Sequence, residues 1–138
     1  NFRNSIISLL VLGIIINSCS KKGGSNPTPP TPPTPPGCSG NIGPVSGSFI
    51  TSTSVTLSWS AVSGATGYDV YLGTTSTPTT IIGTNVTGTT MSYTVPATAN
   101  ATYYWYVQPK NAGGSASGCA STVSSFTYIV IQSPPGFG

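Results

Sequence analysis

The sequence contains no histidine, and Asp69 is the only acidic residue among 138. Without imidazole there is no Ser-His-Asp type relay and no histidine-bound metal. With one carboxylate, paired acid–base glycoside chemistry is also excluded. Three cysteines fall short of a four-ligand zinc site. The glycine-rich stretches lack the phosphate-loop pattern with its following helix. No catalytic residue, metal or cofactor is therefore expected, and the chain reads as a non-enzyme. Basic residues are also few: Arg3, Lys21, Lys22 and Lys110. Three of them precede residue 23, so the net charge of +3 is concentrated at the N-terminus. The remainder has no basic face for a nucleic acid. Helical periodicity is missing after the first twenty residues.

A long apolar run is missing as well. Ile6 to Ile16 is apolar except for Ser8 and Gly13. As a helix it would extend roughly 16 Å against about 30 Å of hydrocarbon, too short to span a bilayer. Behind Arg3, this run has the proportions of a secretory signal. Its end, Ile16-Asn17-Ser18-Cys19, resembles the bacterial lipobox. That resemblance implies residues 1–19 as a lipoprotein signal segment, a lipid on Cys19, and the membrane as a partner. It places the protein at a bacterial cell envelope, anchored in the outer membrane or displayed at the surface. Residues 20–37 form a Gly/Pro/Thr-rich linker with three Thr-Pro-Pro units from Thr28 to Pro36, and hold seven of the 13 prolines. Proline fixes its own φ and turns the preceding residue away from helix, so an extended polyproline stalk is expected. At about 3.1 Å per residue it could reach roughly 55 Å.

From residue 38 the pattern becomes alternation. Val55, Leu57 and Trp59 alternate with Thr56 and Ser58; Tyr68, Val70 and Leu72 follow the same rule, as do Tyr103, Trp105 and Val107. Each set predicts a strand with one buried face, and Gly- and Pro-containing turns separate them. The segments Val55-Thr56-Leu57-Ser58-Trp59, Gly67-Tyr68-Asp69-Val70-Tyr71 and Tyr103-Tyr104-Trp105-Tyr106-Val107, the last followed by Asn111 and Gly114, resemble three strands of a fibronectin type III domain. The closing Ser125-Phe126-Thr127-Tyr128 is similar to the last strand of such domains in Bacteroidetes surface proteins. The resemblance implies an all-β class: a single fibronectin type III-like, immunoglobulin-like β-sandwich of about seven strands over residues 38–129, with a tail at 130–138. Pro109 departs from the family pattern, and the strand containing it is expected to stop near Val107. In the resembled topology Cys38 and Cys119 lie at one end of the sandwich. A disulfide between them is then plausible, and two free thiols are the alternative.

If Tyr68, Val70 and Leu72 face inward, Asp69 and Tyr71 face outward, and by the same rule so do Tyr104 and Tyr106. These four form the candidate binding surface, since the two strands are neighbours in the resembled fold. Exposed tyrosines can stack on sugars or anchor a protein, and they also occur as ordinary cross-strand pairs. The leading expectation is a lipid-anchored structural or interaction module for protein or glycan contacts. Two alternatives stand beside it. One is a carbohydrate-binding module; the other is a subunit of a self-assembling filament, built through the N-terminal apolar segment or the strand Tyr128-Ile129-Val130-Ile131-Gln132.

Overall fold

The alternating segments become strands whose inward residues meet between two sheets. The computed structural model describes residues 28–96 and 100–132; Cys19 and the apolar run lie outside them. From Thr31 onward the described residues belong to one compact unit. Thr28–Pro30, which are exposed, belong to a separate N-terminal unit.

The strands are β1 (Asn41–Gly43), β2 (Ser48–Ile50), β3 (Ser54–Trp59), β4 (Gly67–Gly73), β5 (Ile81–Val86), β6 (Thr90–Thr94), β7 (Ala101–Asn111), β8 (Gly114–Ser115) and β9 (Ser124–Tyr128). A 3₁₀ turn, Cys119–Thr122, precedes β9. One sheet runs in the order β1-β3-β6, and the other in the order β2-β9-β7-β4-β5, with β8 paired to the end of β7. The first edge strand is split at Gly43-Pro44, so β1 pairs antiparallel with β3 and β2 pairs parallel with β9. Counting β1 and β2 as one strand and β8 as an extension of β7 gives seven. This is a fibronectin type III-like β-sandwich.

The core is what the alternation requires. Val55, Leu57 and Trp59 from β3 meet Tyr68, Val70 and Leu72 from β4, Tyr103, Trp105 and Val107 from β7, and Phe126 and Tyr128 from β9. Leu57, Val70, Trp105, Val107 and Phe126 are fully buried. Each such side chain stabilises the fold by about 1.5–3 kcal/mol relative to exposure. Two ring pairs tie the layers together, Trp59 tilted against Tyr68 and Tyr93 edge-on to Tyr103, while Tyr103 and Phe126 stack within one sheet.

Pro109 corrects one expectation. β7 does not stop near Val107 but continues through Pro109 to Asn111. The Lys110 carbonyl faces β4, where it accepts the Thr66 N–H at 2.8 Å. The Pro109 carbonyl faces the other way and accepts from Ala116 N at 2.8 Å. Successive backbone groups of a strand point to opposite edges. The N–H that proline lacks would therefore face away from β4, beyond the last β7–β9 pair, Trp105 with Ser124. On that side lies Ala116, whose carbonyl accepts instead from Gln108 Nε2 at 2.7 Å, so the acceptor opposite the missing N–H is satisfied and the ring is buried.

Cys38 and Cys119 are joined by a disulfide, with Cα atoms 5.2 Å apart, at the end of the sandwich where the chain enters β1. Among the described residues, no helix is long and apolar enough to cross a membrane.

Candidate interaction face

The outer face of the five-stranded sheet is built by the same period of two that fills the core. In the β4–β7 register, Asp69 lies opposite Gln108, Tyr71 opposite Tyr106, and Gly73 opposite Tyr104. All four residues singled out from the sequence therefore stand on one face of adjacent strands, and each is half-buried.

They do not form a uniform strip. Tyr71 and Tyr106 stack with ring centroids 4.6 Å apart and planes within 4°. Each covers one face of the other. The Tyr71 hydroxyl donates to Gln108 Oε1 at 3.1 Å, and Gln108 Nε2 donates to the Ala116 carbonyl at 2.7 Å. This pair is committed to the sheet. Burial, and then the neighbouring Tyr71 phenol, push the Tyr106 hydroxyl above its ordinary pKa of 10.0. Tyr104 differs. Its cross-strand neighbours are Gly73, which has no side chain, and Ser125, which has a small one. It is the tyrosine of this face that lacks a large side chain directly opposite.

Asp69 has a structural partner on each side. Its Oδ1 accepts the backbone N–H of Asn85 at 2.8 Å and the Lys110 ammonium at 2.6 Å. Asp69 and Lys110 are the only charged side chains among the described residues. Because they neutralise each other, the described surface offers no free charge. Its polar groups are hydroxyls and amides, such as the Thr102–Thr127 hydroxyl pair at 2.9 Å on the same face.

Sequence reasoning missed several members of this face. Phe49 pairs with Thr127 and is 71% exposed; Ile81 pairs with Tyr71 and is 46% exposed. Phe49 gives no alternation signal because β2 is three residues long. At the far end of β7 from its hairpin, a shallow cavity of about 480 Å³ opens among Thr74, Thr75, Thr79, Thr80, Tyr93 and Tyr103. Burial, then Tyr93 and Tyr128, raise the Tyr103 pKa. This lining too is uncharged. Among the described residues no group of three or more His, Cys, Asp or Glu could hold a metal. The expected strand from Tyr128 to Gln132 is not formed: β9 ends at Tyr128, which is buried in the domain's own core, and Val130 packs against that core and donates its N–H to Asn100 Oδ1.

No family model matches the chain. It is 39% identical over 87 residues to Chitinase A1 of Niallia circulans, an overlap covering 61% of this chain and 11% of that protein. It is 40% identical over 119 residues to Chitinase D of Niallia circulans, covering 83% of this chain and 20% of that protein. The chain thus spans a fifth or less of the length of the curated relatives it matches. Among solved structures it is similar to an Fn3-like protein from Clostridium thermocellum, at 23% identity and a TM-score of 0.48, covering 76% of this chain and all of that one.

Proposed function

We propose that this chain is a non-catalytic module of a bacterial cell envelope that contacts uncharged polysaccharide through the outer face of its five-stranded sheet. The proline-rich segment carries it away from a lipid on Cys19. The observation behind the ligand class is the mutual neutralisation of Asp69 and Lys110 at 2.6 Å beside the tyrosines. A surface without free charge has nothing to attract an ionic partner, whereas rings and hydroxyls suit the apolar faces and polar edges of sugars. Similarity to two proteins named chitinases supports polysaccharide as that partner. Within the face, Tyr104 is the ring assigned to the ligand, while Tyr71 and Tyr106 brace the sheet.

The test is retention of the full chain on insoluble chitin and on a panel of neutral glycans. Tyr104→Ala is expected to weaken binding about 2–10-fold, corresponding to one aromatic contact. Raising the salt concentration should change nothing. Unaltered binding by Tyr104→Ala sinks the proposal, and loss of binding in salt indicates a charged ligand instead. Intact mass measurement of native protein tests the anchor separately. A mature chain starting at acylated Cys19 is expected, and one retaining residues 1–18 overturns it.

A further inference from the structure

We propose that the turn between β7 and β8 is a binding site for proline-rich chain, occupied here by the protein's own Pro33-Thr34-Pro35. The site is small and built from three residues. Asn111 Nδ2 donates to the Thr34 carbonyl at 2.9 Å and to the Gly64 carbonyl at 3.0 Å, while Asn111 Oδ1 accepts the Gly113 N–H at 2.8 Å. The side-chain amide is thereby fixed in orientation before the Thr34 carbonyl meets it. Gly113 supplies the floor. A Cβ there would collide with the Pro33 carbonyl, and one on Gly114 would come within 3.5 Å of Pro35 Cγ.

The chemistry suits this ligand class. Proline lacks an N–H, and an extended proline repeat has no internal hydrogen bonds, so its carbonyls must find donors elsewhere. A fixed carboxamide beside a side-chain-free floor offers one such donor and allows the backbone to come close. Pro33, Thr34 and Pro35 remain exposed on their outer side. Recognition therefore runs through backbone carbonyls and not through buried area. The Pro-Thr-Pro triplet occurs three times, at 27–29, 30–32 and 33–35. The third is selected because Cys38, three residues after Pro35, is held by its disulfide to Cys119 on the same end of the sandwich. With so short a tether the effective concentration of this triplet at Asn111 exceeds that of any free segment. The consequence is that residues 33–35 are held on the domain, independent of what the sheet face binds.

The sequence provides its own probes, because each triplet contains one amide, that of its threonine. Backbone ¹⁵N relaxation of the full chain should give Thr34 an order parameter near the rigid value of about 0.85. Gly113→Ala should lower it below about 0.6 while β9 amides stay rigid. Gly113 has no left-handed φ, so alanine there strains no backbone; its Cβ collides with the Pro33 carbonyl and also crowds Asn111 Oδ1 at 3.1 Å. If Gly113→Ala also disturbs the hairpin, Pro33→Gly with Pro35→Gly leaves Asn111 and Gly113 untouched, removes the extended bias that presents the Thr34 carbonyl, and should lower the Thr34 order parameter as well. Mobile Thr34 in the unmodified chain overturns the proposal. So does Thr34 remaining rigid in both variants, since the disulfide tether alone would then account for its order.

Discussion

Asp69 is where three strands' worth of polar groups converge, and its two contacts differ in kind. The bond to the Asn85 N–H at 2.8 Å satisfies a backbone donor, which an uncharged oxygen can also do. The bond to Lys110 at 2.6 Å is an ion pair whose side chains are 24% exposed on Lys110 and 13% on Asp69, so solvent screens part of its attraction. Asp69→Asn retains an acceptor and removes the charge, and should cost less than about 1 kcal/mol. Asp69→Ala removes both contacts, and because water can reach the exposed Asn85 N–H the additional loss should be about 0.5–1.5 kcal/mol. Urea denaturation of the two variants checks this, and equal losses would assign the whole effect to the ion pair. The outward position of Asp69 follows from the period of two around it. Its partner lies 41 residues away and becomes visible only once register sets β7 beside β4. The same holds for the tyrosines. Sequence places Tyr71, Tyr104 and Tyr106 on one face, but only register distinguishes the stacked pair from the ring opposite glycine.

At the level of elements, β5 shows why one strand is hard to see. Tyr68 pairs with Val86 while Val70 pairs with Gly83, so Thr84 and Asn85 together oppose Asp69. The additional residue is a bulge, with Asn85 in the left-handed region at φ 54°. Alternation cannot survive an inserted residue, and Ile81-Ile82-Gly83-Thr84-Asn85-Val86 accordingly has none. β3, β4, β7 and β9 have no such insertion and are legible from their side chains alone. Asn85→Gly should be close to neutral, because glycine adopts this φ freely. Asn85→Val should cost about 1–2 kcal/mol or more, since a β-branched residue is strained there. The comparison of urea midpoints is clean because Asn85 is exposed and its substitution opens no cavity. Similar midpoints for glycine and valine would mean that the bulge relaxes. Pro109 marks the limit of strand prediction in another way. The sequence shows that an N–H is missing, but not toward which neighbour it would have pointed.

Over the whole molecule, the largest constraint joins residues separated by 81 positions. The loop between Cys38 and Cys119 contains β1 through β8 and leaves out only β9, so the bond restricts almost the entire unfolded chain. The lipobox resemblance implied a cell-envelope setting where such a bond persists, and the resemblance to a known topology proposed the partners. The docking of Pro33-Thr34-Pro35 had no comparable signal, because a carbonyl and a side-chain amide 77 residues apart leave no local pattern. In the chain-entropy account a closed loop of this length is worth about 4–5 kcal/mol. Small domains have about 5–15 kcal/mol in total, so losing it brings this one near its threshold. Cys119 is buried, and serine there would add an orphan hydroxyl. Cys38→Ala with Cys119→Ala is therefore the proper comparison with the oxidised chain. Denaturation at low temperature should give a loss of about 4 kcal/mol and a steeper dependence on urea, as the released chain exposes more surface. A loss below about 1 kcal/mol with an unchanged slope would mean that the denatured chain is already compact without the bond, and that the sandwich stands on its core alone.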